Sequence, residues 1–330
     1  MGGVTMSLTT ATTAARPNDK HINIYEPHEW KHSTQVAGIT WKNPVGTASG
    51  TFQYAAVRWF YDVSQLGAVC TKGCSPIPWE GNPSPRTAEG PASNLNAVGL
   101  QNPGVDHYLE DDLPKLKKAG AMVIANVAGH CDDDYMQVVA KLADSDADML
   151  EINVSCPNVT HGGMSVGTDP VALATLMDKL RPMTDKPMIV KLTPNVTDIT
   201  VPARAAVEHG ADALSMINTV LGMRLNIRTG EPIIANKTGG VSGPAVLPIG
   251  IAAVYRVRTA LPEIPIIGLG GIDSGEKALE YLYAGANAVE VGAAALFDPV
   301  APLRIARELD DLLDERPELA AKLAAGKTWR

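Results

Sequence analysis

The sequence predicts an α/β protein that folds as one (β/α)8 barrel of the TIM type, with loop insertions over the carboxyl-terminal mouth. Eight short apolar runs recur along the chain, and helical stretches lie between them. Most of the runs do not alternate with polar residues, as expected for parallel strands that are covered on both faces. No change of composition divides the 330 residues, and this length suits a single barrel with insertions.

The predicted elements follow one another in a regular order. The eight strands are expected at residues 45–48, 68–71, 122–126, 149–153, 188–191, 213–217, 264–269 and 288–291. The clearest helix candidates are residues 105–119, 133–143, 170–181, 199–209, 246–260 and 274–284. Gly120, Gly210 and Gly285 stand where a glycine commonly ends a helix. An open doubly wound sheet is the alternative, but no GxGxxG motif follows the first strand.

The composition excludes several classes of protein. The chain has 28 Lys and Arg against 36 Asp and Glu, a net charge of -8, so we expect neither nucleic acid nor a membrane as partner. No apolar run approaches the roughly 18 residues that a membrane span needs. Four cysteines without a signal-peptide pattern indicate a reducing cytoplasm. Residues 1–20 are interpreted as a flexible tail and residues 21–330 as the barrel domain.

The carboxyl ends of the predicted strands are unusually polar, and in a barrel they converge on one cavity. The polar residues at these ends are Ser49, Lys72, Asn126, Asn153, Lys191, Asn218 and Thr219. Leaving so many buried polar groups without partners costs about 1–3 kcal/mol each, so the pattern predicts a bound ligand. Two longer gaps, residues 72–120 and 219–262, are expected to form ordered loops over this mouth.

The last two strand ends are rich in glycine, with Gly270 and Gly271 after strand 7 and Gly292 after strand 8. Their backbone amides can face a phosphate at the starts of the helices that follow. Flavin mononucleotide (FMN) is the best candidate, with Lys191 stabilising negative charge on the reduced ring and amides of Ser49 and Gly73 at its edge.

Cys156 follows strand 4 directly and precedes Gly162 and Gly163, so it lies on a loop that can open and close over the mouth. The surrounding polar residues favour a catalytic thiol over a buried structural one. Cys70 and Cys74 do not have zinc spacing, and we expect no metal. Two other readings of the strand ends are a flavin-free lyase or isomerase with a Schiff base on Lys191, and a non-catalytic binding protein.

Six segments resemble those of dihydroorotate dehydrogenases, in the same order from about residue 21 to about residue 310. They are LNAVGLQNPG at 95–104, NVSCPN at 153–158, MIVKLTPNV at 188–196, SMINTVLGM at 215–223, TGGVSGP at 238–244 and PIIGLGGI at 265–272. The resemblance implies oxidation of dihydroorotate to orotate, the redox step of pyrimidine synthesis, coupled to reduction of one FMN per chain.

With cysteine at position 156, the chain resembles the class 1 enzymes of this family, whereas the membrane-linked class has serine at that position. The sequence NVTHGG at 158–163 resembles subclass 1B, whose catalytic chains form a homodimer core and pair with a subunit that carries FAD and a 2Fe–2S cluster. The resemblance thus implies a heterotetramer of two chains of each kind, with NAD as acceptor. The alternatives are the fumarate-dependent subclass 1A and a dihydropyrimidine dehydrogenase subunit.

The resemblance also assigns roles to residues. The cofactor-binding positions are Ser49, Lys72, Gly73, Asn126, Asn153, Lys191, Ile217, Gly243, Gly270, Gly271, Gly292 and Ala293. The substrate-binding positions are Lys72, Asn96, Ala97, Val98, Gly99, Leu100, Asn153, Asn218 and Thr219. Cys156 is expected to remove the proton from C5 of the substrate as a general base, while the hydride from C6 passes to the flavin.

Overall fold

The computed structural model describes residues 24–155 and 166–325 and contains a closed barrel of eight parallel strands. Its strands are β1 (Val45–Thr47), β2 (Ala68–Cys70), β3 (Val123–Val127), β4 (Met149–Asn153), β5 (Met188–Lys191), β6 (Ala213–Met216), β7 (Ile266–Leu269) and β8 (Ala288–Val291). They stand in chain order around the barrel, and β8 pairs with β1 to close it. The predicted (β/α)8 barrel is therefore confirmed, and the open sheet is wrong.

Every predicted strand is present within two residues of its expected bounds. The largest difference is at β7, which begins at Ile266 and not at residue 264. Pro265 lies just before it and has no N–H to donate to a neighbouring strand. All residues of the eight strands are buried. This is why the apolar runs are sufficient to predict the strands.

The helices surround the barrel. The longer ones are Asp132–Ala143, Pro170–Leu180, Thr200–Glu208, Leu247–Ala260, Gly275–Tyr283, Ala301–Glu315 and Pro317–Ala324. The shorter segments are Tyr54–Val57 and Ala294–Phe297, with 3-10 turns at Val63–Gln65, Val166–Thr168, Arg181–Met183 and Pro244–Val246. The helices that follow β8 had no bounds assigned from sequence.

The first predicted helix is not one regular α-helix. Residues 105–119 form a short turn at Val105–His107, a π-helical turn at Tyr108–Asp112 and an α-helix at Leu113–Lys118. Pro114 lies at the junction and cannot donate to the carbonyl of Glu110, so the regular hydrogen-bond ladder is interrupted there.

The two long insertions meet in a four-stranded antiparallel sheet, which we call the mouth sheet. Its strands, in spatial order, are Val220–Met223, Thr238–Ser242, Ser93–Asn96 and Thr87–Gly90. The central pair joins the insertions, with Asn96 opposite Gly240. The prediction that these stretches are loops was therefore wrong in part, because each supplies two strands.

A β-hairpin of Thr34–Val36 and Ile39–Trp41 lies at the amino-terminal end of the barrel. Val36 and Trp41 are fully buried and pack with residues of the barrel interior such as Ile124 and Met149. This closes the end of the barrel that lies away from the polar strand ends, so the cavity opens on one side.

The chain before the hairpin is fastened by the helix Ala301–Glu315. The carboxylate of Asp310 accepts hydrogen bonds from the backbone N–H groups of Lys31 and His32 and contacts Nε2 of His28 at 2.9 Å. The predicted tail, residues 1–20, lies outside the described residues. Within residues 24–155 and 166–325, no helix has both the length and the apolar character to cross a bilayer.

Candidate active site

A cavity of about 900 Å³ lies between the carboxyl ends of the barrel strands and the mouth sheet. Its floor is made of strand ends, including Lys191 on β5 and Glu290 on β8, and its roof includes Asn96 and Ser242 of the mouth sheet. The cavity lies at the mouth where catalytic residues of such barrels are placed.

The predicted cofactor and substrate residues all line this one cavity, apart from Cys156. The first group is Ser49, Lys72, Gly73, Asn126, Asn153, Lys191, Ile217, Gly243, Gly270, Gly271, Gly292 and Ala293. The second adds Asn96, Ala97, Val98, Gly99, Leu100, Asn218 and Thr219. Their individual roles stay predictions. Cys156 lies outside the described residues, as do Gly162 and Gly163.

Lys191 is held in the cavity floor by a buried carboxylate. Its Nζ atom lies 3.3 Å from Oε1 of Glu151 and 3.3 Å from Oγ of Ser49. Burial opposes the positive charge, but the neighbouring acidic groups, above all the Glu151 carboxylate, outweigh it and raise the pKa of Lys191. The ammonium group therefore stays charged in the cavity floor.

Glu151 is the centre of a hydrogen-bond network that fixes the floor. Its Oε1 atom accepts from Nδ2 of Asn126 at 2.6 Å and from the thiol of Cys70 at 3.4 Å, while Oε2 accepts from Oγ of Ser215 at 2.7 Å. Asn126 donates through Nδ2, and its Oδ1 atom has no hydrogen-bond partner among the described residues. This buried acceptor is available to a ligand.

Lys72 offers a second cation, and it has no ion pair in the part of the chain that the structure describes. Its side chain lines the cavity at the end of β2. Burial lowers the pKa of Lys72 from its ordinary value of 10.5, because no nearby carboxylate compensates the lost hydration. An anionic ligand would supply the missing partner.

The segment that leads from β4 towards Cys156 is held by polar contacts. The hydroxyl of Ser155 donates to Oδ1 of Asn153 at 2.7 Å and accepts from the amide of Asn218. The hydroxyl of Tyr135 donates to the backbone carbonyl of Asn153 at 2.8 Å. Ser155 is therefore fixed against Asn218, just after the end of β6.

The glycine-lined end of the cavity is shaped by close backbone approach. Gly271 has a φ of +75°, and a Cβ there would lie 2.7 Å from Cβ and 2.8 Å from the backbone nitrogen of Leu247. Gly73 likewise leaves room beside Asn126, since a Cβ would lie 2.7 Å from its Oδ1 atom. A side chain at Gly271 would therefore overlap Leu247, and one at Gly73 would cover the Oδ1 atom of Asn126.

Sequence reasoning missed Glu151 and Glu290, which stand inside the apolar runs of β4 and β8. A charged residue within a buried strand is a usable signal, because such a group is rarely buried without a partner. Cys70 and both glutamates place ligand atoms within 4.8 Å of one another. The Lys191 ammonium already supplies positive charge there, and the expectation that the chain binds no metal stays a prediction.

The fold and the cavity define a barrel protein with buried cations and a glycine-lined end, suited to a phosphorylated cofactor and an anionic substrate. The sequence model of the family described as dihydroorotate dehydrogenase matches residues 32–313. The chain belongs to the dihydroorotate dehydrogenase family. This confirms the predicted family and the predicted enzyme class, an oxidoreductase that converts dihydroorotate to orotate in pyrimidine biosynthesis.

Individual relatives are similar over most of their length. A protein of Alkaliphilus metalliredigens named "Dihydroorotate dehydrogenase B (NAD(+)), catalytic subunit" is 48% identical over 281 residues, which are 85% of this chain and 93% of that protein. One with the same name from Lachnoclostridium phytofermentans is 49% identical over 282 residues, 84% of this chain and 93% of the relative. A protein of Aquifex aeolicus named "Putative dihydroorotate dehydrogenase A (fumarate)" is 46% identical over 284 residues, which are 85% of this chain and 93% of that protein.

Proposed function

We propose that this chain is the catalytic subunit of a B-type dihydroorotate dehydrogenase. In this proposal it oxidises dihydroorotate at a bound FMN and passes the electrons to NAD through a separate subunit. The observation that carries the proposal is one cavity that brings together buried Lys191, the glycine-lined end and Lys72, which has no ion pair within residues 24–155 and 166–325. The B-type relatives named above support the choice of acceptor.

The residues present fit FMN. A phosphate suits the end formed by Gly243, Gly270, Gly271 and Gly292, where backbone amides can approach without side chains between them. The unpartnered Oδ1 atom of Asn126 provides an acceptor for a ring N–H group. When bound, FMN accepts the hydride that leaves C6 of the substrate.

Lys191 and Lys72 have different tasks in this proposal. Lys191 is paired with Glu151 and buried, so it presents a fixed positive charge in the cavity that would favour electron gain by bound FMN. Lys72 has no carboxylate partner among the described residues and neutralises the substrate carboxylate. Asn96, Asn153 and Asn218 line the same space and offer amide donors and acceptors without adding charge.

Cys156 is proposed as the base that takes the proton from C5. The residues before it are anchored by Asn153 and Ser155, so the thiol is carried by a segment that begins at the cavity wall. A thiol polarised by nearby cations forms thiolate more readily than a free one. Cys156 would then hold the proton from C5, while the hydride from C6 would leave on the other face of the substrate.

The further partners are proposals of the same kind. A catalytic subunit needs a partner, and we propose one that carries FAD and a 2Fe–2S cluster, in a heterotetramer of two chains of each kind around a homodimer of barrels. The proposed location is the cytoplasm, where the four cysteines of the chain would stay reduced.

The test is anaerobic mixing of the purified protein with dihydroorotate while the flavin absorption is followed. Bleaching by dihydroorotate and none by dihydrouracil supports the proposed substrate and separates it from a dihydropyrimidine dehydrogenase activity. Reoxidation of the isolated chain by fumarate would favour the A-type alternative. Reoxidation by NAD that requires the partner subunit would support the B type, and a protein that cannot bind FMN would contradict the proposal.

A further inference from the structure

Glu290 is a buried acidic residue that the proposed reaction does not use. It lies in the middle of the last barrel strand, is 1% exposed, and belongs to the floor of the cavity. Neither of its carboxyl oxygens has a hydrogen-bond partner among the described residues. A carboxylate buried in this way without donors is strongly disfavoured.

The charged and titratable groups that face Glu290 are few. They are Glu151 on β4, Lys191 on β5 and Cys70 on β2. The strands that pair with β8 on either side, β1 and β7, have the sequences VGT and IIGL and carry no titratable side chain. The charge state of Glu290 is therefore decided inside this cluster.

One ammonium group in the cluster meets two carboxyl groups. Glu151 accepts hydrogen bonds from Asn126, Ser215 and Cys70 and contacts Lys191, and this set of donors favours its charged form. The charge of Lys191 is thereby balanced by Glu151. A charge on Glu290 would remain without compensation and would repel the neighbouring carboxylate.

We propose that Glu290 carries a proton in the folded protein at neutral pH and acts as a positioning residue of the cavity floor. As a neutral acid it leaves the ammonium of Lys191 opposed by one carboxylate only. Burial and the nearby Glu151 both raise the pKa of Glu290, and Lys191 only partly offsets them, which agrees with the geometry.

The consequence for the cavity follows from the sum of charges. With Glu290 protonated, Lys191, Glu151 and Glu290 together are neutral, whereas ionised Glu290 would place a net negative charge beneath the ligand. A cofactor that gains electrons is favoured by the neutral arrangement. This part of the inference rests on the proposed function, but the protonation of Glu290 does not.

Proton linkage of unfolding tests the protonation directly and needs no flavin. The full chain is unfolded in urea between about pH 5.5 and 8.5, a range in which an exposed glutamate has already lost its proton. Glu290→Gln is compared with wild type, and Glu208→Gln, at an exposed helix end, controls for the change in net charge.

A protonated Glu290 in the folded state means that the folded wild type binds one proton more than the unfolded chain. Wild type and Glu208→Gln are then expected to lose stability relative to Glu290→Gln as the pH rises, with a slope of one proton per molecule until Glu290 ionises. A constant difference between wild type and Glu290→Gln across this range would overturn the proposal.

Infrared spectroscopy of the wild-type protein covers the case in which Glu290→Gln does not fold. The carbonyl stretch of a protonated carboxyl group is expected in the wild-type protein at pH 7, and its absence would overturn the proposal. Where the variant folds, this band is expected to vanish. A band that survives in Glu290→Gln would assign the proton to another group and would also overturn it.

The reduction potential of bound FMN tests the second part. Wild type and Glu290→Gln are expected to have the same potential at pH 7, and the wild-type potential is expected to fall below that of the variant at higher pH. A lower wild-type potential already at pH 7 would mean that Glu290 is ionised. A colourless protein with the infrared band would contradict FMN binding and leave the proton on Glu290.

Discussion

The ammonium group of Lys191 lies 3.3 Å from Oε1 of Glu151 inside the barrel, where the lysine side chain is 6% exposed and the glutamate side chain is fully buried. The two residues lie diagonally across neighbouring strands, since Glu151 is in register with Ile189 and Lys191 with Asn153, two residues further along. The strand pairing therefore places this charge under the cavity before any ligand binds.

Lys191→Met tests how strongly this pair holds the barrel together. Removing the ammonium leaves the Glu151 carboxylate buried without its cation, and breaking such a pair costs about 3–5 kcal/mol. We expect a loss of that size in the free energy of unfolding, measured in urea without flavin. The double variant Lys191→Met, Glu151→Gln is expected to lose less, because neither charge is then buried alone.

Lys31→Met is the matched control for this experiment. Lys31 pairs with Asp314 on the surface, where both side chains are about half exposed, and water replaces the lost contact. We expect little change in stability there. If Lys191→Met and Lys31→Met had the same free energy of unfolding, the buried pair would not contribute the predicted stability.

Cys156→Ala tests the proposed base. Loss of a general base is worth roughly 10²–10⁴-fold in rate, so dihydroorotate is expected to bleach the flavin more slowly by that factor in rapid mixing. FMN content should be unchanged, because the cofactor residues remain. Cys131→Ala, just before the helix Asp132–Ala143, should react like wild type, and equal rates in all three proteins would remove Cys156 from the mechanism.

The barrel could be predicted from sequence because each strand is a buried run that needs no distant information to recognise. The mouth sheet could not, since its central pairing joins Asn96 to Gly240 across more than a hundred residues of chain. Its strand at Thr238–Ser242 is polar and rich in glycine, so it has little local β propensity.

The candidate site divides in the same way. Strand-end residues such as Asn126 and Lys191 could be placed together because all strand ends of a barrel meet at one mouth. Glu151 and Glu290 stand out in sequence only as acidic residues within apolar runs, and the partners that determine their roles lie on other strands. Long-range contacts decide both the mouth sheet and this buried cluster.

Gly271→Ala tests the proposed phosphate end. A Cβ at Gly271 meets Leu247 at 2.7 Å in addition to the strain of a φ of +75°. We expect FMN affinity to fall at least about tenfold, since the loop must shift to relieve the contact. The measurement is titration of flavin-free protein with FMN, followed by fluorescence.

Gly230→Ala separates backbone strain from the loss of space. Gly230 has the same φ of +75°, but nothing lies within 4 Å of the position that its Cβ would take. It should lose some stability, by about 1–2 kcal/mol, and keep its affinity for FMN. Equal FMN affinities in the two variants would argue against a cofactor phosphate beside Gly271.

Lys72→Met tests the second cation of the cavity. A charge-assisted hydrogen bond contributes about 1.5–3 kcal/mol, so the Kd for orotate is expected to rise about tenfold to a hundredfold, measured by the change that orotate causes in the flavin spectrum.

Because burial lowers the pKa of Lys72, the wild-type affinity should fall as the pH rises towards 10, earlier than for a free lysine. The variant lacks the titrating group and should not show this fall. Lys118→Met, at an exposed position, is expected to match wild type in both respects. Since Lys72 has no carboxylate partner in the part of the chain that the structure describes, its replacement should leave the free energy of unfolding intact. A large loss of stability with unchanged orotate affinity would make Lys72 a structural residue.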